Sequence, residues 1–194
     1  MRTPTRIGKS SLINPSQRII LDLCGGTGAW SKPYNDTGYD VRLITLPSND
    51  VRLYSPPENV QGILSAPPCT DFAVSGARWF KQKGDSALLN SLSVVDACMR
   101  IILISKPKWW VLENPVGRLV RYLGKPRMYF QPYEYGDPYT KKTALWGNFQ
   151  IPKKKPVEPT EGGKIWKMPP SEDRSMLRSI TPTGFAKAFF EANP

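Results

Sequence analysis

The apolar positions of this chain fall into two patterns. Short unbroken apolar runs end in glycine, proline or charge, and one longer stretch repeats its apolar positions every three or four residues. Arg18 to Cys24 (RIILDLC) is of the first kind and ends in glycines, which predicts a buried parallel strand. Val41 to Leu46 (VRLITL), Gln61 to Ser65 (QGILS), Trp109 to Leu112 (WWVL) and Thr143 to Phe149 (TALWGNF) predict four more strands. A helix is expected from about Ala29, with Pro33 tolerated in its first turn. Asp85 predicts the N-cap of a long helix whose Leu88, Leu92, Val95, Cys98, Met99 and Ile102 form one face through about Ser105. Gln150 to Pro170 turns polar and rich in proline and lysine, the composition of a loop. Phe185 to Ala192 (FAKAFFEA) predicts a short closing helix. Strands alternating with helices imply an open α/β sheet that binds ligands beyond its strand C-termini.

Composition narrows the function. A chain of 194 residues can bury a core, and it reads as one domain, with 150–178 a short insert. Lys+Arg 27 against Asp+Glu 16 gives a formal charge of +11, which points to a polyanionic partner, nucleic acid first. The other meaning of that charge is a generally cationic, solubilising surface. No apolar run approaches the ~20 residues of a membrane span, so no membrane partner is expected. The segment 1–17 carries Arg2, Arg6 and Lys9 without a long apolar stretch, so no secretory signal is expected either.

Three cysteines, Cys24, Cys69 and Cys98, lack paired metal spacing, so no metal site and a reducing, cytoplasmic setting are expected. Histidine is absent, which removes Ser-His-Asp triads, Cys-His dyads and histidine zinc sites together. An activated cysteine here must be tuned by something other than imidazole.

Three fragments carry candidate chemistry. Asp22-Leu23-Cys24-Gly25-Gly26-Thr27-Gly28 follows a strand; its glycines allow close backbone approach by a nucleotide-like ligand, or make an ordinary strand-to-helix turn. It has neither the Gly-Lys-Ser/Thr ending of a Walker loop nor the glycine register of a dinucleotide fold. Ala66-Pro67-Pro68-Cys69-Thr70 holds a cysteine on a rigid turn, and Leu112-Glu113-Asn114-Pro115 places a carboxylate at the end of an apolar run. Addition of a thiolate to an electron-poor pyrimidine needs those two groups together. The blander alternatives, which carry less weight, are Cys69 as a small buried hydrophobe and Glu113 as a helix-start carboxylate capping N–H groups. The stretch Thr70 to Asp85 mixes Phe72, Trp79 and Phe80 with Ser75, Arg78, Lys81 and Lys83, a composition suited to a lid over a flipped base and its phosphates, or to a locally packed mobile loop. The run Lys153 to Lys155 is a weaker candidate for phosphate contact.

In these fragments the chain resembles the DNA cytosine-5 methyltransferase family. Asp22 to Gly28 looks like the family's first motif, Pro67-Pro68-Cys69 like its fourth, and Glu113-Asn114-Pro115 like its sixth, where Glu-Asn-Val is usual. Asp50-Val51 resembles the acidic-aliphatic pair that contacts the cofactor's adenine, and Tyr135 to Lys142 sits where the eighth motif lies. The resemblance spans about 18–149 and returns more faintly at Ser179 to Ala186.

It implies a class I S-adenosylmethionine-dependent methyltransferase fold: Rossmann-like, a three-layer sandwich with a mostly parallel sheet and an antiparallel edge strand. It implies S-adenosylmethionine held by Asp22, Leu23, Cys24, Gly25, Gly26, Thr27, Gly28, Trp30, Asp50, Val51 and Pro67. Cys69, Glu113 and Lys141 would be catalytic, and Ser75, Arg78, Lys81, Lys83 and Lys142 would meet nucleic acid. Cys69 would attack carbon 6 of cytosine, with its thiol tuned by Arg78, Lys81, Lys83 or Lys141, while Glu113, protonated through burial beside Trp109 and Trp110, would contact ring nitrogen 3. Methyl transfer to carbon 5 of cytosine in double-stranded DNA is the expected reaction, in the cytoplasm of a bacterial or phage-infected cell.

Family members carry a large target-recognition domain after the eighth motif, whereas here about thirty residues separate Phe149 from Ser179. That predicts a short or relaxed sequence context, or a protein partner or oligomer that selects the target; compact members of this kind occur in bacteriophages. The alternatives are action on single-stranded nucleic acid, RNA or a free nucleotide, and a methyltransferase-like nucleic-acid-binding protein without turnover.

Overall fold

The computed structural model describes residues 18–194, so the expectation for 1–17, with Arg2, Arg6 and Lys9, lies outside the described residues. Six strands form one sheet: β1 (Ile19–Leu23), β2 (Asp40–Ile44), β3 (Val60–Ser65), β4 (Trp109–Pro115), β5 (Met128–Phe130) and β6 (Thr143–Asn148). Their spatial order is β2-β1-β3-β4-β6-β5. The first four run parallel and β6 runs antiparallel to both neighbours. The expected antiparallel edge strand is therefore one place inside the edge, and the edge itself is β5, which the short sequence MYF did not announce.

Strand faces alternate as side-chain period dictates. Ile20, Leu64, Trp109, Val111 and Leu145 pack with Trp30, Tyr34, Phe185 and Phe189 on one side. Leu21, Leu23 and Ile63 pack with Ala97, Cys98, Ile101 and Ile102 on the other. The first side is covered by α1 (Lys32–Asp36) and α6 (Thr183–Ala192), the second by α2 (Phe80–Ser105), with α3 (Val120–Leu123) beyond it. The three-layer α/β architecture, with its sheet order and reversed penultimate strand, is that of a class I Rossmann-like methyltransferase fold.

Several elements differ from the sequence expectation for physical reasons. The first helix is only five residues and begins at Lys32, because Gly25 to Ser31 form turns instead. α2 is helical from Phe80, but Gly84 (φ 71, ψ −175) breaks it, so its regular part starts beside Asp85 as expected. The lid stretch is no loop, since Val74–Trp79 form a 3-10 turn leading straight into α2. α2 is also long and apolar enough by composition to cross a membrane, contrary to the reading of the sequence; here its Ala97, Cys98, Ile101 and Ile102 are buried against the sheet. Between β6 and α6 the chain is extended at first and then forms α4 (Lys164–Lys167) and α5 (Arg174–Ser179).

Candidate active site

The sheet brings the three fragments to one end. The glycine turn leaves the C-terminus of β1, and the Pro-Pro-Cys turn leaves the C-terminus of the adjacent β3. β4 pairs with β3 through Ser65↔Leu112, which sets Glu113 one residue beyond the last β3 partner. Glu113 is not at the strand end, as expected, but within it: antiparallel pairing with β6 through Glu113↔Leu145, Asn114↔Ala144 and Pro115↔Thr143 carries β4 on to Pro115. The same pairing delivers Lys141, two residues before β6, to this end.

Cys69 lies within electrostatic reach of Glu113, Lys141 and Arg178. Burial raises the Cys69 thiol pKa, the neighbouring Glu113 raises it further, and Lys141 and Arg178 pull it down, the net direction being upward. Burial also raises the Glu113 carboxyl, against the opposing pull of Lys141. Lys141 is held by its own backbone, whose N–H donates to Gln131 Oε1 at 2.9 Å. Of the cations expected to tune the thiol, Lys141 is the one that reaches it. Lys83 is engaged elsewhere, 2.8 Å from Asp71 Oδ1.

Asn114, fully buried, donates from Nδ2 to the Pro67 carbonyl at 2.9 Å and so couples the strand of Glu113 to the turn of Cys69. Behind Cys69, the backbone N–H groups of Phe72 and Ala73 both donate to its carbonyl at 2.9 Å. Asp71 accepts from Lys83 and from Ser91 Oγ (2.7 Å); burial works against its charge, but these two partners hold its carboxyl below the usual range. Arg118 Nε donates to the Asp71 carbonyl at 2.6 Å while its guanidinium lies 3.7 Å from the Phe80 ring centroid. The Pro-Pro-Cys turn is thus clamped between α2 and the residues after β4. Asp71, Ser91, Arg118 and Arg178 escaped the sequence reading, and Asn114 entered it only as a motif neighbour without a role of its own. Only Asn114 carried a local signal, its place beside Glu113.

At the glycine turn, Asp22 is fully buried and burial raises its pKa to about 6. Ser31 Oγ donates to Asp22 Oδ2 at 2.6 Å, while Oδ1 has no partner. A Cβ on Gly25 would sit 2.2 Å from that free oxygen, so Gly25 lies directly over the carboxylate. Cys24 adopts φ 58, and the neighbouring Cys98 thiol together with burial pushes its pKa up. Gly26 and Thr27 are exposed and Leu23 is fully buried. An unsatisfied buried oxygen beneath bare, side-chain-free backbone fits a polar cofactor such as S-adenosylmethionine.

The remaining expected residues are spread more widely. Trp30 is 2% exposed and packs against Phe185 and Phe189 in the core. Val51 is buried, and Asp50 is bound to Arg52 at 2.6 Å, which lowers its carboxyl pKa. Pro67 is buried under the Asn114 hydrogen bond. Ser75, Arg78 and Lys81 are exposed, with Arg78 5.0 Å from the Trp79 ring centroid. Lys142 is exposed beside Lys141, its Nζ 5.2 Å from the Tyr129 ring centroid. Among the described residues no group of acidic or cysteine side chains is arranged to hold a metal ion.

No protein-family model matches the chain. A stretch of 55 residues is 40% identical to the type II methyltransferase M.SacI of Streptomyces achromogenes, which is 28% of this chain and 14% of that one. A solved structure from E. coli, described as a DNA modification methyltransferase encoded within a prophage, matches with TM-score 0.44 and 16% identity. That match covers 80% of this chain and 49% of the other. The chain thus spans less than half the length of either relative.

Proposed function

We propose that this chain methylates carbon 5 of cytosine in DNA, with S-adenosylmethionine as donor. The observation that carries the proposal is the convergence of Cys69, Glu113 and Lys141 at one end of a methyltransferase fold, beside the glycine turn. The partial sequence likeness to a type II methyltransferase supports the same reading.

In this mechanism the Cys69 thiolate forms a bond to carbon 6 and the ring electron pair moves toward nitrogen 3. Glu113, in its protonated form, which burial favours, donates a hydrogen bond there and stabilises the charge. S-adenosylmethionine, when bound over Gly25–Gly28, supplies the electrophilic methyl group. Carbon 5, made electron-rich by the adduct, would take that methyl as the donor's sulfur–methyl bond breaks and S-adenosylhomocysteine leaves; water or a base removes the carbon 5 proton, and the sulfur–carbon 6 bond breaks as aromaticity returns. Lys141 and Arg178 offset the cost of a thiolate beside a carboxyl group.

Between β6 and α6 the chain offers only extended backbone and two short helices, so the reading includes a short sequence context. Duplex DNA containing 5-fluorocytosine tests the chemistry, because fluorine cannot leave as a proton and the adduct persists. A denaturation-stable complex is expected with the native chain and S-adenosylmethionine, and none with Cys69→Ser. Methyl transfer undiminished in Cys69→Ser would overturn it.

A further inference from the structure

Between Glu113 and Glu134 the sequence carries no carboxylate and four cations: Arg118, Arg121, Lys125 and Arg127. Arg118 is committed to the clamp behind Cys69. Arg121 and Lys125 are exposed, as is Lys142 across the sheet edge, and among the described residues none of the three is ion-paired. Two tyrosines stand among them, Tyr122 (46% exposed) and Tyr129 (41% exposed).

These groups belong to a rigid edge. Tyr129 lies in β5, paired with Ala144 of β6, and Lys142 rests over its ring. The turn between α3 and β5 is pinned by Trp146 Nε1, which donates to the Gly124 carbonyl at 2.9 Å, and Arg127 N–H donates to the Leu145 carbonyl at 2.8 Å. Lys142 adjoins Lys141, so the ridge begins at the catalytic end of the sheet and continues along its edge.

Unpaired cations interleaved with exposed aromatic rings fit a phosphodiester backbone, with rings available to bases that leave their stack. A solubilising surface would intersperse both signs of charge, and the segment 114–133 holds a single sign. We propose that the ridge Arg121, Tyr122, Lys125, Tyr129 and Lys142 binds the DNA backbone flanking the target base. This inference rests on the proposed action on DNA.

The test is titration of a fluorescent 20-base-pair duplex and the matching single strand across a range of salt concentrations. The variants are Arg121→Gln/Lys125→Gln/Lys142→Gln and a charge-matched control, Lys106→Gln/Lys108→Gln/Lys187→Gln, away from the ridge. Each lost phosphate contact lowers the slope of log affinity against log salt by about 0.9 on duplex and about 0.7 on single strand. A slope change near three contacts and a loss of affinity on the order of 10-fold are expected for the ridge variant alone. The probe that loses more contacts, each slope change divided by its own per-contact value, identifies the form of DNA held. Equal losses in both variants would mean non-specific charge and overturn the ridge, as would no loss in the ridge variant. A native chain that binds neither probe would instead overturn the action on DNA, and circular dichroism melts confirm that both variants are folded.

Discussion

Asn114 reaches 2.9 Å from its Nδ2 to the carbonyl of Pro67, and this bond joins the Arg118 clamp in holding the carboxylate strand and the cysteine turn in register. Its Oδ1 has no partner, so the side chain is fixed from one side only. Asn114→Ala leaves the buried Pro67 carbonyl unsatisfied and is expected to destabilise the fold by about 1–3 kcal/mol. Methyl transfer should fall further than this stability loss explains at temperatures where the variant is folded. Urea unfolding and initial rates measured side by side check the separation; activity that merely tracks the folded fraction refutes it.

The thiol of Cys69 answers to three neighbours of known sign. Lys141→Gln and Arg178→Gln each remove a positive charge and should move the midpoint of iodoacetamide labelling at Cys69 to higher pH. Glu113→Gln removes a negative charge and should move it lower. Mass spectrometry of the Cys69 peptide separates it from Cys24 and Cys98. A midpoint indifferent to all three changes would show that these groups do not share a site.

Asp22 binds its proton more tightly folded than unfolded, its pKa raised by burial from the ordinary 3.8 to about 6. Between those values the native state holds the proton that the unfolded chain has released, so stability is greatest below the lower value and declines as pH rises through the upper one. The penalty above pH 6 is about 3 kcal/mol. Raised Glu113 contributes in the same direction. Asp22→Asn should therefore flatten stability between pH 4 and 6 and raise the melting temperature at pH 7.5. Thermal melts across that range decide it, and an Asn variant with the native pH slope would contradict the assignment.

Gly25→Ala forces a methyl group onto the Asp22 carboxylate, which Ser31 holds from its other oxygen. A destabilisation of about 1–3 kcal/mol is expected, together with loss of S-adenosylhomocysteine binding by calorimetry. Gly26→Ala meets no neighbouring atom within 4 Å, and its cost comes only from φ 55. Equal binding by both variants would remove the carboxylate from the cofactor argument.

The sheet was legible wherever apolar runs were long enough to stand alone, as at β1, β3 and β6. Cys69 and Glu113 were legible because their neighbours, Pro67-Pro68 and Asn114, are unusual in sequence. Tertiary pairing supplied what local pattern lacks. Nothing in Leu112-Glu113-Asn114 tells that β6 will extend the strand past Glu113, and three residues of β5 are too few to show a period. Asp71, Lys83 and Ser91 meet only because α2 folds back over the Pro-Pro-Cys turn. Arg178 ends the stretch 150–178 that the sequence marks only as a short insert, and its electrostatic reach to Cys69 is a product of folding alone. Trp30 illustrates the opposite limit: proximity in sequence to the glycine turn did not stop its ring from joining the aromatic core.

Because β6 runs against its parallel neighbours, it finishes at the end of the molecule remote from Cys69. The residues that follow must then climb back, and they do so zipped to 133–140: Lys155 N–H to the Glu134 carbonyl, Val157 N–H to Tyr133, Glu161 N–H to Pro138, and Thr140 N–H to Gly162. The tether that presents Arg178 is thus measured off against the height of the sheet. We expect residues inserted before Gly162 to throw that measure out and withdraw the guanidinium, which the Cys69 labelling midpoint would register. Additions between Gly163 and Asp173 should leave the zipper intact, so that is where such a scaffold has freedom to grow a larger reading head.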